Sequence, residues 1–206
     1  MNYTIGIIGA GHIGQALATH LSKTNYRVLI SNRKGAESLQ EVVASIGGSL
    51  KAADLKQTVE EADMLFLAIP WGGHEAFAKY LEGHTGKIIV DATNNIVSMF
   101  PLRVTDLKGK TTGEYVSQLY PGQHVVKAFN TLPYFILAKN PVNSGSEGNR
   151  VIVMSGDYAA AKATVVELAG MMGFATIDIG TLKEGKLQDP GGALSNVELI
   201  KMKANY

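Results

Sequence analysis

The stretch Tyr3-Thr4-Ile5-Gly6-Ile7-Ile8-Gly9-Ala10-Gly11-His12-Ile13-Gly14, answered at the end of the next apolar run by Ser31-Asn32-Arg33-Lys34, decides how this chain is read. An apolar strand, Tyr3 to Ile8, runs straight into a G-x-G-x-x-G loop. The three glycines serve different ends. Gly9 permits the tight turn, Gly11 lets the backbone approach a pyrophosphate with no Cβ in the way, and Gly14 lets the helix lie close to the sheet. The helix that starts here offers free N–H groups and a positive dipole end to phosphates. Glycines in such a loop also serve plain packing in units that hold no dinucleotide. The context favours binding, because Ile13, Leu17, Ala18 and Leu21 share one helix face and Tyr26 to Ile30 reads as the next buried parallel strand.

The end of that second strand chooses the dinucleotide. An NAD site places an Asp or Glu there, about 20 residues beyond the glycines, to take the ribose hydroxyls. This chain has none. Ser31 and Asn32 offer neutral hydrogen-bonding groups, and Arg33 and Lys34 offer cations where a 2′-phosphate would lie. Arg forms bidentate charge-assisted pairs with phosphate, whereas Lys acts as a movable point charge. The alternative is a solvated turn before a helix; the missing acid favours NADP.

The 206 residues suffice for one substantial core with a small addition, not for a second full catalytic domain. With 19 basic and 18 acidic side chains and formal charge +1, nucleic-acid binding has no electrostatic footprint beyond Arg33-Lys34. The lack of cysteine excludes disulfides and thiolate chemistry, and His12, His20, His74, His84 and His124 show no metal-ligand spacing. No basic leader with a cleavage site and no bilayer-length apolar run are present, so the expectation is a cytoplasmic protein without membrane contact.

Beyond Lys34 the βα rhythm continues. Helices are predicted over Gly35 to Ile46, Asp54 to Glu61, Glu75 to Leu81 and Glu114 to Leu119, and strands at Ser49-Leu50, Met64 to Ile69, Ile88 to Asp91 and Val125 to Asn130. The Gly-, Ser- and Asn-rich stretch Asn140 to Asn149 reads as a loop, Arg150 to Ser155 as a strand, Asp157 to Met172 as a helix with Asp157 as N-cap, and Phe174 to Ile179 as a strand. A loop over Gly180 to Pro190 and a short terminal helix over Gly191 to Lys203 complete the reading. The fold class is α/β, a Rossmann-type NAD(P)-binding fold with a mostly parallel sheet and a small C-terminal extension. Residues 1–135 form the dinucleotide-binding core, and 136–206 continue it and line the acceptor cleft.

Ligands of open α/β sheets sit over the carboxyl ends of the strands. Those ends carry Gly9-Ala10, Ser31-Asn32, Ile69-Pro70-Trp71, Asp91-Ala92-Thr93-Asn94 and Ala128-Phe129-Asn130-Thr131. Trp71 either borders the cofactor or plugs the following helix. Phe129 can pack beneath a flat ring, while Asn94, Asn130 and Thr131 can hydrogen-bond a carboxamide or carbonyl. No nucleophile–base arrangement and no Tyr-x-x-x-Lys helix appear, which suits hydride transfer between two bound rings. His12 stands near the pyrophosphate loop and either approaches a ligand or faces solvent.

Taken together, Ile5 to Gly14, Ser31-Asn32-Arg33, Ala68-Ile69-Pro70-Trp71, Asp91-Ala92-Thr93-Asn94, Val125 to Thr131, Ser155-Gly156-Asp157 and Gly173 to Gly180 give a chain that resembles the coenzyme F420-dependent NADP oxidoreductase family over nearly its whole length. The resemblance implies that Gly9, Ala10, Gly11, His12, Ile13 and Gly14 form the pyrophosphate loop and that Ser31, Asn32, Arg33 and Lys34 hold the 2′-phosphate end. It places Ile69, Pro70, Trp71, Asn94 and Ala128 beside the nicotinamide, and Trp71, Phe129, Asn130, Thr131, Leu132 and Pro133 around the second ring. It implies a homodimer, and Gly191 to Leu199 resembles the family's terminal helix. A related reductase domain in membrane ferric reductases passes hydride to a flavin, so F420, a flavin or a similar small-molecule redox acceptor fits. The expected function is hydride transfer between NADP(H) and such a flat acceptor. Two alternatives are a small imine or carbonyl reductase, with His12 and then Tyr134 as proton donor, and a non-catalytic NADP-sensing protein.

Overall fold

The computed structural model describes residues 3–143 and 148–202. Its order is β1 (Thr4–Ile8), α1 (His12–Leu21), β2 (Arg27–Ser31), α2 (Gln40–Ile46), β3 (Leu50–Ala52), α3 (Leu55–Glu61), β4 (Met64–Leu67), α4 (His74–Ala78), β5 (Ile88–Asp91), β6 (Ile96–Met99), β7 (Leu102–Val104), α5 (Thr112–Leu119), β8 (His124–Ala128), α6 (Tyr134–Leu137), β9 (Val142–Asn143), β10 (Gly148–Gly156), α7 (Ala159–Met171), β11 (Ala175–Asp178) and β12 (Ile200–Met202). The main sheet runs β11-β10-β8-β5-β4-β1-β2-β3, with β9 and β12 added on β10. From β3 to β8 every pairing is parallel.

Alternation along the parallel strands divides the core into two layers. Ile5, Ile7, Phe66, Val90 and Val126 pack with Leu17 and Leu21 of α1 and Val165 and Leu168 of α7. Leu65, Leu67, Ile89 and Val125 pack on the other face with Val59 of α3, Phe77 of α4 and Val116 of α5.

The departure from parallel order comes after β8, where β10 pairs antiparallel to it. A parallel partner needs a crossover that carries the chain back to the starting edge. Instead α6 lies along α1, with Tyr134 stacked on His12 at the carboxyl edge and Leu137 O 2.7 Å from His20 Nε2 further along the helix. The chain re-enters from the edge that it left.

Three readings from sequence need correction. The terminal helix over 191–203 does not form in its described residues: positive φ at Gly191 and Asn196 breaks the run, and Ile200–Met202 is an edge strand antiparallel to β10. Asp157 does not cap α7; its Oδ1 accepts from Leu182 N at 2.9 Å, and the helix starts after Tyr158 with no side-chain cap. The stretch 140–149, expected as a loop, contains β9 and the start of β10, while its residues 144–147 lie outside the described residues. Sequence reading also passed over the β6–β7 hairpin, whose Val97, Met99, Phe100, Leu102 and Val104 are exposed.

A buried ion pair spans the middle of the sheet. Asp91 and Lys127 are register partners on β5 and β8, with Nζ 2.9 Å from Oδ2 and both side chains fully buried. Lys127 Nζ also donates to Thr93 O. Asp91 Oδ1 accepts from Thr93 N at 3.0 Å and from Thr93 Oγ1 at 2.7 Å. His74 continues the chain, with Nε2 2.9 Å from Thr93 Oγ1 and Nδ1 2.6 Å from the Tyr120 hydroxyl.

The proton order follows from donor and acceptor capacity. The Thr93 hydroxyl gives its proton to Asp91, so it accepts from His74 Nε2–H, and Nδ1 accepts from Tyr120. Burial lowers the His74 pKa and raises that of Tyr120, which keeps both neutral. Burial also pushes the Asp91 carboxyl up, but the Lys127 ammonium and the hydrogen bonds from Lys127 and Thr93 outweigh it and hold the group ionised, below its ordinary value.

Removing one partner of a buried pair strands the other charge and costs about 3–5 kcal/mol, whereas replacing both by apolar groups is often neutral. Lys127→Met should therefore lower the urea-unfolding free energy by about 3–5 kcal/mol, and Asp91→Leu/Lys127→Met should recover most of the loss. Because the native Asp91 pKa is lowered, its contribution is complete above about pH 4 and is lost as pH falls through the native value. The wild type should consequently show the steeper acid unfolding. Equal losses in the single and double variants, with equal acid limbs, would remove the pair as the source.

Candidate functional site

A cavity of about 1240 Å³ opens over the carboxyl ends of β1, β2, β4, β5 and β8. Gly9 to Ile13 line it, and so do Asn32, Arg33, Ile69, Pro70, Asn94, Phe129, Asn130, Leu132 and Pro133. These are residues singled out from sequence, and the fold brings them to one surface. Gly9 takes φ of 107°, so the loop turns where a side-chain-bearing residue would be strained. A Cβ on Gly14 would overlap the carbonyl oxygen of Gly9, whereas one on Gly11 would meet nothing within 4 Å. Gly14 therefore serves the close approach of α1, and Gly11 faces open space beside the helix N-terminus.

Other expected residues lie off the cavity wall. Ser31 is fully buried and its hydroxyl points towards Ile7 O at 3.4 Å. Lys34 is exposed beyond the turn, Gly14, Ala128 and Thr131 are buried, and none of them is in the lining. The Trp71 ring packs against His74 at 5.1 Å and Tyr115 at 5.4 Å between centroids, with the apolar layer on the α4–α5 face. It is the packing half of the two sequence readings that the geometry realises.

The turn after β2 is built to hold Arg33 outward. Asn32 Oδ1 accepts from Lys34 N at 2.7 Å, and Asn32 Nδ2 donates to Ser38 Oγ at 3.0 Å. Asp54 anchors the far side, accepting from Ala36 N at 3.0 Å. Asp54 and Lys56 also line this end, as Tyr80 and Tyr134 line other parts of the wall. Sequence reading gave Asp54 and Lys56 no place in the site, because only the β2–β3 pairing carries the start of α3 beside Arg33.

At the other end the polar groups are almost saturated. Asn94 Nδ2 donates to Asn130 O at 2.9 Å, while Asn130 Nδ2 donates to Asn94 Oδ1 at 3.1 Å and to Gln188 O at 2.9 Å. Asn130 Oδ1 accepts from Gln188 Nε2 at 3.1 Å. Both Asn130 amide protons are thus engaged, and Asn94 keeps one N–H for the cavity. The backbone that carries Asn94 is fixed by the Asp91–Lys127 pair through Thr93, one residue away. Phe129 forms the wall in the left-handed region, φ 64°. His12 and Tyr134 stack with centroids 4.4 Å apart and planes 19° apart, so the two proton-donor candidates meet at the cavity edge.

Among the described residues no cluster of three or more His, Asp or Glu could hold a metal ion, and no helix is long and apolar enough to cross a membrane.

Comparison with known proteins follows the same lines. Metalloreductase STEAP3 of Rattus norvegicus is 29% identical over 184 residues, covering 88% of this chain and 35% of that protein. The chain thus spans about a third of the length of the curated relatives it matches. A hypothetical protein of Sinorhizobium meliloti with a crystal structure is 40% identical with a TM-score of 0.89, over 98% of this chain and 96% of that one. A protein of Arthrobacter sp. fb24, proposed to be an F420-dependent NADP reductase, has a TM-score of 0.74 at 23% identity, over 88% and 86% of the two chains. That last likeness speaks for the fold alone. Residues 4–95, from β1 to the end of the Asp91–Asn95 strand-end loop, match the model of the NADP oxidoreductase coenzyme F420-dependent family, and this stretch of the chain belongs to that family of NADP-dependent oxidoreductases.

Proposed function

We propose that the protein binds NADP(H) across its strand ends and transfers hydride between nicotinamide C4 and a flat redox acceptor: the deazaflavin F420, a flavin or a similar ring. The observation that carries this reading is the continuity of one cavity from the acid-free Arg33 turn, past the glycine loop, to the apolar wall of Phe129, Leu132 and Pro133. Single small ligands occupy pockets of about 300–1,000 Å³, and the larger volume here supports a dinucleotide with a second ring beside it. In this reading the N–H groups opening α1 take the pyrophosphate, Arg33 and Lys56 take the 2′-phosphate, and Asn94 offers its free N–H to the carboxamide. Proximity and alignment of the two rings then supply most of the rate.

Carbonyl or imine reduction is the second reading, favoured by the His12–Tyr134 stack, since a non-ring acceptor needs a proton donor at the cavity edge. Stopped-flow absorbance of NADPH with F420, FMN, menadione and a cyclic imine offered in turn separates the two. Turnover of the imine alone would reject the flat-acceptor reading.

Four further outcomes are expected. A hydrogen bond to a charged group contributes about 1.5–3 kcal/mol, so Arg33→Ala should weaken NADPH by one to two orders of magnitude and leave NADH nearly unchanged. Equal affinity of the wild type for NADH and NADPH in titration calorimetry would reject that role. Gly11→Ala should melt as the wild type does yet bind NADPH at least tenfold more weakly, because its methyl enters open space that the pyrophosphate needs. Gly14→Ala, by contrast, should lose about 1–3 kcal/mol of stability through overpacking. The assembly is proposed as a homodimer, supported by the exposed apolar hairpin 96–104, since a two-stranded ribbon is marginal alone. A one-chain mass in light scattering, unchanged by Phe100→Ser, would overturn it.

A further inference from the structure

Three side-chain amides stand in a row at the β5–β8 end of the cavity, and the backbone decides which way each one faces. Asn94 Nδ2 is 2.9 Å from Asn130 O, Asn130 Nδ2 is 2.9 Å from Gln188 O, and Gln188 Nε2 is 3.1 Å from Lys127 O. A backbone carbonyl can only accept, so each amide must turn its nitrogen to its own carbonyl and none can flip. The oxygens are then placed to receive: Asn94 Oδ1 accepts from Asn130 Nδ2, and Asn130 Oδ1 from Gln188 Nε2, both at 3.1 Å. Three amides carry six N–H groups, and the five bonds named leave one, on Asn94. Lys127 anchors the row, since its carbonyl holds Gln188 while its Nζ holds Thr93 O, next to Asn94.

Gln188 is fully buried and takes no part in the cavity wall. Its Oε1 has no donor among the described residues. A buried oxygen in that state is a cost that a hydrocarbon side chain would avoid, so what the position needs from an amide is its two N–H groups. We infer that Asn130 and Gln188 are positioning residues for the nicotinamide ring: they lock Asn94 with a donor towards the cavity, and the site therefore reads the carboxamide through its oxygen and not through its amino group. The inference rests on the NADP(H) placement proposed above and names the atom by which the ring is oriented.

The test is binding, which needs no redox acceptor. Two analogues of NADP⁺ divide the carboxamide: the 3-acetylpyridine form keeps the carbonyl oxygen and loses the amino group, and the 3-aminopyridine form keeps an amino group and loses the oxygen. In titration calorimetry the acetyl form should bind the wild type within about threefold of NADP⁺, and the amino form at least about fivefold more weakly than the acetyl form, as expected for one neutral hydrogen bond. Asn130→Asp keeps the shape but has no N–H for Asn94 Oδ1. The Asn94 amide then turns its nitrogen to the new carboxylate and its oxygen to the cavity, so the preference for the acetyl form should vanish or invert. Loosened packing alone would weaken both analogues alike and leave their ratio unmoved. The wild-type comparison needs no variant, and Asn94→Asp, which removes the donor at the wall itself, should lose the same preference. 2′,5′-ADP, which lacks the ring, should bind the wild type and both variants equally. Equal affinity of the wild type for the two analogues, or a ratio that Asn130→Asp leaves unchanged, overturns the inference. 2′,5′-ADP binding the wild type as tightly as NADP⁺ would instead take the nicotinamide away from this end and overturn the placement itself.

Discussion

Everything at the carboxyl edge of the sheet depends on the Asp91–Lys127 pair. Its two charges sit on adjacent strands with no solvent, where their attraction is strong and the cost of separating them is high. An ion pair of this kind is poor evidence for net stability. What it fixes is geometry: the carboxylate binds the Thr93 amide and hydroxyl, while the ammonium binds the Thr93 carbonyl. Every backbone polar group of Thr93 is thus committed, and the residues on either side, Ala92 and Asn94, are delivered to the cavity. His74 and Tyr120 close the chain with protons in one order, so no member is left unsatisfied.

The same edge explains why a sheet of this order yields a divided site. β1 stands in the middle of the parallel strands, and its glycine loop sits where the chain switches from building outward through β2 and β3 to building the other way through β4, β5 and β8. One half contributes the polar turn held by Asn32 and Asp54. The other contributes aromatic and amide groups. A long ligand laid across the loop would therefore meet a cationic environment at one end and a neutral one at the other.

The dinucleotide half was readable because its signals are local. The glycine spacing, the apolar strand and the acid-free turn all lie within Tyr3 to Lys34, and the alternation of buried strands did the rest. Lys127 and Asp91 were not readable as a pair, since they lie 36 positions apart and only the β5–β8 register makes them neighbours. A lysine in an apolar strand carries no mark of its partner. The terminal helix failed for a different reason: Leu194, Val197, Leu199, Ile200 and Met202 hold no 3.6-residue period, and Pro190-Gly191-Gly192 already spells a turn. The edge strand that replaces the helix gains its hydrogen bonds from β10, which no local pattern announces.

Phe129 shows how the fold departs from simple alternation where the site requires it. β8 ends at Ala128, which faces the α1–α7 layer, so the next side chain of a regular strand would face the opposite layer. The left-handed turn at φ 64° reverses this, and Phe129 joins the same layer as Ala128. For a residue with a Cβ the conformation costs about 1–2 kcal/mol. The ring is held in place by edge-on contacts with Phe66 at 5.6 Å and Phe174 at 6.2 Å, and burial of an aromatic side chain stabilises by about 1.5–3 kcal/mol, enough to offset the strain. The turn also sends the chain sideways, so that Asn130 meets Asn94 across the strand gap and Gln188 bonds Asn130 from the other side. One strained residue thus returns its ring to the core beneath the cavity and brings the amide network to the cavity's edge, and glycine in its place would relieve the strain while losing the buried ring.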